Sequence, residues 1–223
     1  MKKTLAFAIL AAFVIFCSSC KKSTDAVSPQ LVFVFKFDST QERQNNIGQP
    51  ESVSAGNAAQ SPVFHSMSAH YVELAPNAFT ALTTGDVLYR APEVTTGGTN
   101  AIDFSRSVIA KEGEPFLAVP LKNITPGTYE YLRVSLAYQN YDIKFNVAGL
   151  HFTGTVASFL GFNTYISNYT IKDSAVQVNA NKLQGYWGLE TSLGVFTGDA
   201  PATTVPNPIA STSPIPPGSR RYF

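Results

Sequence analysis

Cysteine is almost absent from this chain. There are two, Cys17 and Cys20, both inside the first 20 residues. Residues 21–223 contain none, so they form no disulfide, hold no thiolate metal cluster and use no cysteine nucleophile. Charge is scarce as well. Charged residues make up 14% of the chain, 16 basic against 15 acidic, with no run of either sign. That lacks the basic footprint of a nucleic-acid binder, and no nucleic-acid partner is expected. No long amphipathic helical pattern runs through residues 21–223. Gly-x-Ser-x-Gly elbows, His-Glu-x-x-His helices and phosphate loops are missing. The carboxylates are scattered beside glycines, prolines and turns and form no tight pair. No catalytic residues are assigned, and the chain reads as a non-enzyme that needs no cofactor.

What is there begins at the N-terminus. Lys2 and Lys3 precede an apolar run at 5–16, followed by Ser18, Ser19 and Cys20. The run is 12 residues long, too short for a membrane span of about 20 residues. It has the layout of a secretory signal. A small residue before a cysteine at the end of such a signal resembles the lipobox of bacterial, Bacteroidota-type cell-envelope lipoproteins. Cys17, where that family usually has Leu, is the one departure. Bulky Val14, Ile15 and Phe16 make Cys17 itself the poorer acceptor. The resemblance implies that residues 1–19 are removed, that the Cys20 thiol receives a diacylglycerol, and that its new amino group is acylated. The other reading of the same residues is a plain secretory signal cut nearby. The lipid reading makes the membrane a partner and the outer membrane the address. It leaves the leaflet open, because Lys21 and Lys22 stand where an acidic cluster accompanies surface display. Acyl chains contribute about 0.8 kcal/mol per buried methylene, so two or three of them anchor a protein stably.

Residues 20–30 are small and polar and read as a tether. Residues 31–198 read as one all-β domain, an antiparallel β-sandwich with long polar loops. The run at 31–37 is almost continuously apolar, which predicts a central strand buried on both sides. A polar excursion follows at 38–60. Strands are expected at 63–74, within 78–90, at 101–109 and at 115–121. At 124–159 the period is two. Leu132, Val134, Leu136 and Tyr138 alternate with polar or small residues, then Ile143, Phe145 and Val147 do the same. A turn at Asn140 and another at Ala148–Gly149 would make this a three-stranded meander. More strands follow at 163–171, 175–178 and 185–191. Residues 199–223 carry six prolines and read as an extended tail. The stretch 125–136, a Pro126–Gly127–Thr128–Tyr129 turn feeding Leu132–Arg133, resembles a segment of MbnP-like β-sandwich domains, a family associated with copper peptide systems. No binding residue follows from it.

The candidate binding residues are Tyr186 and Trp187, in GYWGLE. Exposed, they would offer flat apolar platforms for a sugar ring. Buried, they would fill the sandwich core. His65, Met67 and His70 suit copper by residue type, but strand alternation separates His70 from the other two, so no metal site is expected. The function expected is a lipid-anchored, non-catalytic domain that binds a glycan or a protein partner. The alternatives are a structural or adhesion subunit of a surface assembly and, less favoured, an envelope hydrolase.

Overall fold

The computed structural model describes residues 28–44 and 49–199. Cys20, most of the tether and residues 200–223 lie outside the described residues. In chain order the strands are β1 (Gln30–Val34), β2 (Val63–Ala75), β3 (Asp86–Arg90), β4 (Glu93–Val94), β5 (Ala101–Asp103), β6 (Pro115–Pro120), β7 (Tyr131–Val147), β8 (Leu150–Phe159), β9 (Thr164–Thr170), β10 (Ala175–Lys182), β11 (Tyr186–Thr191) and β12 (Gly194–Asp199). Single 3-10 turns lie at Phe104–Arg106 and Leu121–Asn123. The fold is all-β and sandwich-like, as the short-strand pattern predicts.

A curled six-stranded sheet in the order β12-β11-β8-β7-β2-β3 is the frame. Its spine is the β7–β8 hairpin, which is paired without interruption from Tyr138–Phe159 to Val147–Leu150. Ala148 (φ 52°) and Gly149 (φ 83°) close it. Positive φ at both central residues is what a two-residue hairpin turn with the native twist requires. The Asn146 side chain accepts from the Gly149 N–H at 3.0 Å and secures the turn. Along β2 the register against β7 shifts three times, between Phe64 and Tyr71. Such bulges bend a strand and increase its twist, which accounts for the curl here.

A four-stranded sheet, β10-β9-β5-β4, covers part of one face. The core between the two sheets is aromatic. The Phe159 ring lies 4.9 Å from Phe104, 5.1 Å from Tyr138, 5.0 Å from Tyr169 and 5.7 Å from Tyr186, centroid to centroid. Ile166, Ile171, Val176 and Val178 fill the gaps. The close approach fixes a glycine, because a Cβ on Gly188 would collide with the Tyr169 hydroxyl and meet Ile171 Cδ1 at 2.8 Å. The β1–β6 pair makes a second, smaller core. Phe33, Phe35 and Phe116 pack there with Ala69, Val72 and Ala110.

Two expectations need correcting. β1 is not central. Among the described residues it pairs only with β6, and Val32 and Val34 are half exposed. Its alternating burial shows one face packed and the other solvated; continuous apolarity did not mean burial on both sides. Nor does Asn140 turn the chain. β7 runs straight through it for 17 residues. Asn140 is buried, and its amide donates to Ile171 O at 2.8 Å and Tyr138 Oη at 3.2 Å. A buried amide with partners is stable inside a strand.

One loop is held by a single carboxylate. Glu190 on β11 accepts the backbone N–H groups of Lys172, Asp173 and Ser174, each at 3.0 Å. Desolvation raises its pKa, but these three donors more than offset that and hold it below the usual glutamate range. A carboxyl depressed on folding stabilises the fold above its unfolded pKa, and that contribution is lost as pH falls through the folded value. Glu190→Gln is therefore expected to lower the melting temperature at pH 7, with the deficit shrinking as pH falls below about 4.3. Thermal melts of both proteins from pH 7 to pH 3 measure it. A deficit independent of pH would contradict the assignment.

Candidate functional site

A cavity of about 730 Å³ opens where β2, β3, β4 and β7 meet the loop after β8. That falls within the range of small-molecule sites, about 300–1,000 Å³. Leu82, Val134, Leu136, Leu160 and Phe162 line it on the apolar side. His70, Tyr71, Arg90, Glu93, Asn100, Arg133 and Ser135 line it on the polar side.

Behind the lining residue Arg133 lies a buried ion pair. Glu73 is fully buried, and Arg133 Nη1 lies 3.2 Å from its Oε2. The Gly85 N–H donates to Oε1 at 2.7 Å. Arg133 also donates to the carbonyls of Ala81, at 3.3 Å, and Thr80. The pair thus ties β2 and β7 to the loop that forms one rim. The residue pairing explains why: Glu73 sits opposite Arg133, and Tyr71 opposite both Ser135 and Arg90. The Tyr71 hydroxyl is buried without a hydrogen bond of full geometry. Burial first, then the nearby Glu73 carboxylate, push its pKa up to about 12. The Arg90 guanidinium lies over the Tyr71 ring, 5.5 Å from its centroid.

The opposite wall is built around His70. Its Nε2 is 3.4 Å from Glu93 Oε1, and the Asn100 amide donates to the other Glu93 oxygen. The His70 ring stacks on Phe162 at 5.9 Å and 8°. Desolvation lowers the His70 pKa, outweighing the bond and charge of Glu93, which raise it. The imidazole is thus neutral at pH 7. Donating from Nε2 to Glu93 leaves Nδ1 as an acceptor. Phe162 is placed by a backbone device. Gly161 has φ 77°, and a Cβ there would lie 2.6 Å from Leu136 O. Only glycine takes this conformation at this distance without strain.

This arrangement can hold a ligand with one flat apolar face and several hydroxyl-type groups. Among the described residues, no group of three or more His, Cys, Asp or Glu side chains converges to hold a metal ion. His65 lies 3.0 Å from Asp142, whereas His70 faces Glu93. Tyr186 is 5% exposed, inside the aromatic core, with its hydroxyl 3.2 Å from that of Tyr169. Trp187, next in the strand, faces the other side of the sheet and lies half-buried over Gly198. The two rings form no common platform. The sequence carries no spacing that marks the cavity. Its polar residues come from positions 70–73, 90–100 and 133–135, and only strand pairing unites them. The one legible hint was polarity at alternate positions, Tyr71 with Glu73 and Arg133 with Ser135.

No protein-family profile, no curated protein and no solved structure matches the chain.

Removing Arg133 leaves the buried Glu73 carboxylate without its cation. Arg133→Ala is expected to destabilise the fold by roughly 3–5 kcal/mol, and the apolar double substitution Glu73→Leu/Arg133→Met to recover most of that loss. Urea denaturation of the three proteins measures it. An alanine variant as stable as the parent would show that the pair is not closed in solution.

Proposed function

We propose that this chain is a lipid-anchored, non-catalytic binding domain of a bacterial cell envelope, and that its ligand is a carbohydrate bound in the His70–Arg133 cavity. One observation carries the ligand reading: a flat stacked pair, His70 and Phe162, stands beside Asn100, Glu93, Arg90 and Ser135 in one concave site. Sugar rings present an apolar face and a rim of hydroxyls, so they match a wall of this composition. The dispersed apolar lining of the cavity favours capture over turnover. The signal layout ending at Cys20 supports the anchor.

The ligand reading is tested by saturation-transfer NMR and calorimetry with a panel of mono- and oligosaccharides. At least one sugar is expected to bind, and Phe162→Ala is expected to weaken it by about tenfold, roughly 1.4 kcal/mol. Gly161→Ala, which shifts the same ring without removing it, should weaken it too. Binding untouched by both substitutions would place the sugar elsewhere, and a blank panel would remove the carbohydrate reading. The anchor is tested separately. Intact mass and detergent partitioning of the protein made in a bacterial envelope are expected to show acyl mass on the parent and none on Cys20→Ala. A water-soluble parent with a free Cys20 thiol would refute lipidation.

A further inference from the structure

The cavity holds one polar group that the protein leaves unanswered. Tyr71 lines the cavity and is only 6% exposed, yet its hydroxyl has no hydrogen bond of full geometry. The nearest carboxylate is already engaged, since the Glu73 oxygens take the Gly85 N–H and the Arg133 guanidinium. A buried hydroxyl left unpaired costs about 1–3 kcal/mol. With its pKa pushed up to about 12, this phenol stays protonated at neutral pH and can donate. A bulge accounts for its position. Consecutive residues of a regular strand face opposite sides. Between Ala69 and Tyr71 the register of β2 shifts, and His70 and Tyr71 both line the same cavity. The apolar lining also exceeds what a bare sugar needs. The His70–Phe162 wall answers the one apolar face of a sugar ring. Leu82 and Val134 line the cavity as well, 38% and 39% exposed, so apolar surface beyond that wall stays wet until a ligand covers it.

We infer that the ligand is an N-acylated amino sugar, whose acyl carbonyl oxygen accepts from the Tyr71 hydroxyl and whose acyl methyl lies beside Leu82 and Val134. The inference rests on the carbohydrate reading and narrows it. Three properties select the acyl amide. It carries a strong acceptor and an apolar group on one carbon. A deoxy sugar brings the apolar group without the acceptor, and a plain hexose brings acceptors without the apolar group. It is also uncharged. The Arg90 guanidinium lies over the Tyr71 ring and pairs with no carboxylate among the described residues. The ammonium of a free amino sugar would meet that like charge in a partly desolvated site. Last, the amide N–H has a partner in reach of the same wall, because the neutral His70 imidazole keeps one acceptor nitrogen. An ester-linked acyl group has no proton to offer it.

Calorimetry with matched sugars tests it. The methyl glycosides of glucose, glucosamine, N-acetylglucosamine and O-acetylated glucose are compared, with the galactose series alongside. In at least one series the N-acetyl sugar is expected to bind about tenfold tighter than the other three. Tyr71→Phe keeps the ring under Arg90 and removes only the hydroxyl. It is expected to weaken the N-acetyl sugar by about five- to tenfold and to leave the parent hexose unchanged. Because that hydroxyl is unpaired in the empty protein, the variant is expected to melt no lower than the parent. The outcomes separate the two readings. A wider panel of mono- and oligosaccharides that is blank throughout removes the carbohydrate reading and this inference with it. Sugars that bind with no preference for the N-acetyl form overturn this inference alone. So does an ester that binds as tightly as the amide, or a preference that survives Tyr71→Phe. A phenylalanine variant melting well below the parent would show the hydroxyl bonded within the protein, and would overturn it too.

Discussion

The contacts of Phe159 hold the fold together. A chain without cysteine beyond position 20 has no covalent staple for its two main sheets. It relies on one ring at the end of β8 touching four others from β7, β9, β11 and the turn after β5. Edge-to-face and tilted pairs of this kind contribute about 0.5–1.5 kcal/mol each beyond the area they bury. Their larger role is geometric. The rings set the distance between the sheets, and that distance makes Gly188 obligatory. They also fix where β8 ends, and Leu160 turns at once to bond Ala137 O at 2.8 Å. Phe162 reaches the cavity because Phe159, three residues earlier, is immobile in the core.

The cavity therefore inherits its rigidity from the core on one wall and from an ion pair on the other. Glu73 and Arg133 contribute little net stability, since their desolvation roughly offsets their attraction. What the pair fixes is position. It holds the loop at Thr80 and Ala81 over the sheet. His70 plays a similar part opposite. Kept neutral by burial, it orients Glu93 and leaves one acceptor nitrogen. Every charged group in the site except Arg90 is consumed by a partner among the described residues. A site so neutralised suits a polar uncharged ligand better than a strongly charged one.

Much of this fold was legible before the structure. The two-residue period at 143–147 and the Ala148–Gly149 turn mark the closed end of the hairpin that is the spine, because register in such a strand is dictated by which side must be buried; the turn expected at Asn140 is absent. Long-range pairing accounts for the misreadings within β7. Leu132 and Val134 have the apolar phase of the alternation, yet Leu132 is 52% exposed while Arg133 points at a buried carboxylate. Bulges at the β2–β7 junction shift the phase, and no local pattern announces a bulge. Asn140 looked like a turn residue because its two partners, Ile171 and Tyr138, include one 31 positions away. The cavity was invisible for the same reason. His70, Glu93 and Arg133 become neighbours only through pairings that skip tens of residues.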